Sequence, residues 1–430
     1  MQTRKRKKYP APILIRWKKV LIIPAVFLAI LVLLFGIKFA MNQNDMATLS
    51  RKAAQYAQQL LDYQKARPNE VLLKETIVKA DLLANGYMYE EAVTLLRKNA
   101  VLQSEVTIIE RIARYQSASG TLVTYNQVVP VIFFHSLVID PKIAFGKSSA
   151  DPLGYRSRNI TTYEFKKILS EMSGRGYILV SFNDVYGMLN GVMARKELKI
   201  PTGKIPFILM EDENAYADPM PLNGFARGLV LQNGEIVARS LTADGIEKTD
   251  VGDIVPIVEK FVKENPGFSF RGARGVLSLT GFAGTLGYRL TNSNDITNAT
   301  LLANALREKG WIFGCTSYSD NTDTYLRAPT PAKITDDLRN WDTKIKSIVG
   351  ATPIFVSPHG NTFTGLNLTS IKSFGYTVFV TDSNTLSEFS SEGMLFISRI
   401  SITGDSLHNN ATYFNQNFFN VSNVIDPARN

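Results

Sequence analysis
At 430 residues, 45% of them apolar and 20% charged, the chain is long enough for two or three domains with a sizeable core. Its net charge of +10 invites a nucleic-acid reading, but residues 1–19 alone carry eight basic residues and no acid. Without them the remainder is close to neutral, which excludes a basic nucleic-acid-binding surface.

In chain order, residues 1–19 read as a basic cytoplasmic tail and residues 20–41 as a transmembrane signal anchor. Val20 to Ile37 is an uncharged run rich in Leu, Ile, Val and Phe. Eighteen such residues just cross a hydrocarbon core of about 30 Å. The positive cluster before the span predicts a single-pass protein of the cell membrane, with its N-terminus in the cytoplasm and the rest outside. Cys315 is the sole cysteine, so no internal disulfide forms.

Residues 45–120 predict a small helical stalk: few glycines and apolar residues at three-to-four spacing. Ala80 to Leu96 resembles one tetratricopeptide-like helix-turn-helix, a unit that rarely buries its face alone. It is either a spacer or a module for a protein partner.

Residues 128–430 read as one α/β domain. Strands are expected at Val129–Leu137, Tyr177–Phe182, Pro206–Met210, Gly275–Leu279, Ile354–Ser357, Thr377–Val380 and Met394–Ile400. Helices are expected at Thr162–Gly174, Asp253–Glu264, Ala299–Lys309, Thr335–Val349 and Asn367–Phe374. Such alternation predicts βαβ units in a mostly parallel sheet or barrel. Pro206–Met210 runs into Glu211, Asp212 and Glu213, at the strand end where such folds build their sites. The stretch from Asp405 is expected to pack on the outside.

Several ordered segments resemble the NodB-homology polysaccharide deacetylase family. They are Pro130 to Asp140, Ile160 to Leu169, Arg175 to Asp184, Asn265 to Gly275, Leu279 to Tyr288 and Phe419 to Arg429. The resemblance covers about 300 residues, and three of the segments resemble those of a membrane-anchored bacterial branch. It implies a deformed (β/α) barrel and, for an active member, a divalent metal (zinc or manganese) that activates water against an acetamide. Carried over, Asp212 falls at the base position and Glu213, Thr316 and Asp320 at the metal-ligand positions. Two family histidines are thus replaced by Thr316 and Asp320, and threonine is a poor zinc ligand. Pro358 and His359 fall in a later family motif, and Tyr318 and Pro358 are candidate substrate contacts.

His359 has two readings, a substitute ligand or acid and a loop histidine bonded to backbone. His135 reads as structural, Cys315 as a small buried residue, and the glycines of 280–287 lack the context of a phosphate cradle. Tyr216, Phe313, Tyr318 and Phe363 are candidates for stacking on sugar rings. The expectation is a membrane-anchored deacetylase-like protein at cell-envelope glycan, with a degenerate metal site. The alternative is an active metal-dependent deacetylase of N-acetylated cell-wall polysaccharide with a rebuilt site.

Overall fold
The computed structural model describes residues 43–429, apart from 213, 243, 244 and 251. The basic tail and the expected membrane span lie outside the described residues. Among the described residues no helix is long and apolar enough to cross a membrane.

The chain forms two compact units, Met1–Ile77 and Val78–Asn430. In the first, the described residues form the helix Gln43–Ala66 and enter the helix Pro68–Asn85. In the second, the turn at Gly86-Tyr87 joins Pro68–Asn85 to the helix Tyr89–Arg97. That turn docks on the domain that follows: Tyr87 Oη donates to the Gly267 carbonyl at 2.7 Å, and Arg271 N to the Gly86 carbonyl at 2.8 Å.

Eight parallel strands build the main domain: β1 (Val131–Phe134), β2 (Tyr177–Leu179), β3 (Ile205–Glu211), β4 (Val276–Leu279), β5 (Ile312–Cys315), β6 (Ile354–Val356), β7 (Val378–Asp382) and β8 (Met394–Ser401). Pairing runs β4-β5-β6-β7-β8-β1-β3, and β3 closes the ring on β4. β2 shares that edge of β3: Tyr177 to Leu179 pair with Ile205 to Phe207, while Val276 and Leu277 pair with Met210 and Glu211. One strand edge serving two neighbours is the deformation of the barrel.

Because side chains alternate along a strand, each strand feeds two cores. Val131, Phe133, Ile208, Met210, Val276, Ile354, Val356, Val378, Val380, Leu395 and Ile397 fill the bore. Ile132, Phe134, Phe207, Leu209, Leu277, Phe313, Phe355 and Phe379 face outward, against helices including Thr162–Gly174, Ile254–Glu264 and Pro331–Lys344. Each such side chain stabilises the fold by roughly 1.5–3 kcal/mol when wholly buried, so the barrel wall is held from both sides.

The structure departs from the sequence expectations at one barrel strand, the antiparallel hairpins and two helix starts. The strand β5 occupies a stretch that periodicity assigned to no element. A meander, Ala226–Gln232, Glu235–Leu241 and Glu247–Asp250, follows β3. Its first turn, Asn233-Gly234, has positive φ at both residues, as do Asn190-Gly191 between Tyr186–Leu189 and Val192–Arg195 and Glu392-Gly393 before β8. Two positive φ values in a two-residue loop are the requirement of a type I′ hairpin.

Two helices begin earlier than expected, Ser293–Glu308 and Pro331–Lys344, because Asn292 and Thr330 cap their first turns. The stretch from Asp405 forms short helices that bury Phe414, Phe418 and Phe419 against the outward core. At its end Arg429 donates through Nη2 to the wholly buried Glu164 at 2.7 Å, fastening the terminus to the first helix of the barrel.

Candidate functional site
Extending the alternation one step past the bore core gives the inner layer at the carboxyl ends of the strands. It holds His135 after β1, Asp212 after β3, Ser278 on β4, Asp382 on β7 and Arg399 on β8. Arg399 is the organising group. Its Nη1 donates to Asp212 Oδ1 at 2.7 Å, Nη2 lies 2.6 Å from Asp212 Oδ2, and Nε donates to Asp382 Oδ1 at 2.8 Å. The guanidinium also lies over the Phe133 ring, 3.7 Å from its centroid. Arg399 is 2% exposed and Asp212 6%.

A two-toothed arginine–carboxylate fork is the strongest form of such a pair. Burial alone would lower the guanidinium pKa, but the Asp212 and Asp382 carboxylates outweigh it and hold it above its ordinary value. The fork takes one acceptor site on each Asp212 oxygen and fixes the orientation of the carboxylate.

Two of the metal-ligand positions of the resemblance have other partners. Thr316 is buried, with its hydroxyl 3.5 Å from the Val356 carbonyl. Asp320 instead meets His359, Oδ1 to Nε2 at 3.8 Å, with side chains 30% and 29% exposed. Glu213 lies outside the described residues. Among the described residues no three His, Cys, Asp or Glu side chains gather as a metal would need. A hard or borderline divalent ion needs several anionic or imidazole donors on one point. A Thr316 hydroxyl bonded to backbone and an Asp320 carboxylate facing His359 do not make such a set.

Asp320 and His359 share a second property. Both, with Ser317, have left-handed backbones, at φ 49°, 57° and 63°. Non-glycine residues held there cost of order 1–3 kcal/mol each and cluster at functional sites. They stand on the loops after β5 and β6, at the face where barrel enzymes work. Beside them Lys344 Nζ donates to Tyr318 Oη at 3.0 Å, and Pro358 is buried.

Of the four aromatics considered for sugar stacking, Tyr216, Phe313 and Phe363 are each only 4% exposed and belong to the outward core. Tyr318 alone is partly exposed. Cys315 also faces that core, and burial pushes its thiol pKa up, so it is no nucleophile.

Glu211 was not foreseen as more than the end of a strand. The alternation turns it out of the bore, toward Asp253 at the start of the helix Ile254–Glu264. It is wholly buried, and neither carboxyl oxygen has a hydrogen-bond partner among the described residues. Burial first, then the Asp253 and Asp212 charges, raise its pKa well above the ordinary carboxylate value. Asp253 is better served: it accepts from Tyr216 Oη at 2.6 Å and from Ile254 N at 2.8 Å.

No model of a protein family matches the chain, and no curated protein does. Three solved deacetylases are similar in structure. One is the Streptococcus pyogenes deacetylase PplD in complex with acetate, at 16% identity over 66% of this chain and 95% of that one, TM-score 0.36. The second is IcaB from Ammonifex degensii, at 11% identity over 67% and 97%, TM-score 0.37. The third is a de-N-acetylase from Aggregatibacter actinomycetemcomitans, at 10% identity over 65% and 96%, TM-score 0.37. Overlaps of that quality carry no argument, and the functional reading rests on this chain's own residues.

Glu211 makes a stability prediction. An acid whose folded pKa is raised contributes stability that is complete below its unfolded value, about 4.3, and lost as pH rises through the folded value. Glu211→Gln keeps the shape and removes the charge. In denaturant unfolding it should match the wild type at about pH 4 and exceed it at about pH 9. Equal stability at both ends would show that Glu211 is solvated or paired.

Proposed function
We propose that the chain is a membrane-anchored envelope protein whose barrel, of polysaccharide-deacetylase type, binds N-acetylated cell-wall glycan without hydrolysing it. What supports this reading is the Arg399 fork on Asp212, together with the ordered sequence resemblance. A general base must meet its proton within hydrogen-bond reach. Both Asp212 oxygens already accept guanidinium N–H groups, and the residue is only 6% exposed. Loss of the ligand positions to Thr316 and Asp320 acts in the same direction. Fold does not fix function, and the residues at this mouth favour a binding role.

One observation favours a second reading, a hydrolase with a rebuilt site. A histidine 3.8 Å from a carboxylate, on strained loops at the carboxyl face, is the arrangement of a base and its orienting group. In that case His359 would exchange the proton and Asp320 hold the imidazole.

The test incubates the purified protein with N-acetylglucosamine oligomers, with and without added zinc or manganese, and measures free amine and oligomer binding. The expected result is oligomer binding by the wild type with no turnover above background, and none in Asp212→Asn or His359→Asn. Turnover lost in His359→Asn would establish the second reading. Turnover lost in Asp212→Asn would refute the lock on Asp212.

The anchor is part of the same proposal: residues 20–41 span the membrane, 1–19 stay in the cytoplasm, and 45–120 carry the barrel outside. The support is the charge-then-apolar order of the sequence. Protease added to wall-stripped cells should digest the barrel domain while the membrane is intact. Full protection would place it inside and remove the proposed ligand.

A further inference from the structure
A cleft of about 460 Å³ lies among the loops that leave the carboxyl ends of β3 and β4, beside the meander and the helix Ser293–Glu308. Arg227, Arg239, Arg289 and Tyr288 line it, with Asp218 and Asp295 as its acids. The way the arginines are held indicates what the cleft would take.

Arg289 donates Nη1 to the Ala283 carbonyl at 2.7 Å and Nη2 to the Tyr216 carbonyl at 3.2 Å. Its nearest acid is Asp218 at 3.6 Å, whose side chain is 79% exposed. Arg239, 26% exposed, donates Nη2 to the Gly287 carbonyl at 3.2 Å and stands 3.9 Å from Glu247. Its Nε–H is buried with no partner among the described residues, and its guanidinium lies 5.8 Å from the centre of the Tyr288 ring. Backbone carbonyls fix the two planes without cancelling their charge, and exposed acids at such distances cancel little of it. Arg227 is matched by Glu247 at 3.1 Å. Asp295 is turned to its own helix start, where it accepts from Thr291 N at 3.4 Å.

The frame is rigid. Gly228 and Gly287, at φ 151° and 89°, pass so closely that a Cβ on Gly287 would lie 2.3 Å from Gly228 Cα. That crossing pins the meander, which carries Arg227 and Arg239, against the loop that carries Tyr288 and Arg289. Leu229 N donates to the Leu286 carbonyl across it at 3.1 Å.

We propose that this cleft is a binding site for an oxyanion, a phosphoryl or carboxylate group on a small ligand, held by Arg239 and Arg289. Planar guanidinia fixed by backbone are suited to two-toothed recognition of such groups at little entropic cost. The site is independent of the Asp212 mouth and of the glycan reading.

The test is calorimetric titration of the purified full chain in mild detergent with inorganic phosphate, glucuronate and N-acetylglucosamine. Phosphate or glucuronate should bind, more weakly as salt rises, whereas any binding of the neutral sugar should not depend on salt. The tighter of the two anions identifies the group. Arg239→Gln and Arg289→Gln should each weaken anion binding about tenfold or more. If Arg239→Gln fails to fold, Arg289→Gln decides, since that side chain is 42% exposed. The proposal is overturned if neither anion binds measurably at low salt. It is equally overturned if a folded Arg289→Gln keeps wild-type affinity.

Discussion

The buried Arg399–Asp212 ion pair, joined at its exposed edge by Asp382, is the constraint on which the barrel mouth depends. It ties the carboxyl ends of β3, β7 and β8 through one side chain, with Phe133 of β1 packed against it. Desolvating the two charges of Arg399 and Asp212 is costly, and such pairs persist where each member is satisfied. Removing Arg399 strands the Asp212 carboxylate, and removing Asp212 leaves Arg399 with only the exposed Asp382.

The consequence for function is a change of place. In a barrel the mouth is where reacting groups gather, and here arginine and threonine side chains close its centre. What is open lies farther out: the strained Asp320–His359 pair on the loops after β5 and β6, and the arginine cleft on the loops after β3 and β4. Glu211 belongs to neither. Its unpartnered carboxyl is a stability cost beside the mouth, tolerated because protonation removes the charge.

The strands were legible in the sequence wherever they were long apolar runs bounded by glycine, proline or charge, as at Pro206–Met210 and Met394–Ile400. β5 was not, because its four residues include Gly314 and Cys315 and follow directly on a helix. The meander was missed although Asn233-Gly234 between apolar stretches is a strong local hairpin signal. Asp212 could be found from its position at the end of a strand; its partner could not, since Arg399 lies 187 residues away. The one clue was a charge at an inward position of an otherwise apolar strand, which a buried arginine needs a carboxylate to explain. Tyr216, Phe313 and Phe363 failed as sugar contacts because sequence alone does not distinguish a core aromatic from an exposed one.

The most direct test of the lock is a double-mutant cycle on stability, with Arg399→Met, Asp212→Asn and the pair measured by denaturant unfolding. The account predicts that Arg399→Met alone destabilises by about 3–5 kcal/mol. Adding Asp212→Asn should recover part of that loss, because it removes the charge left stranded. Two small and additive effects would contradict it, and would mean that Asp212 is free in solution for a proton or a metal.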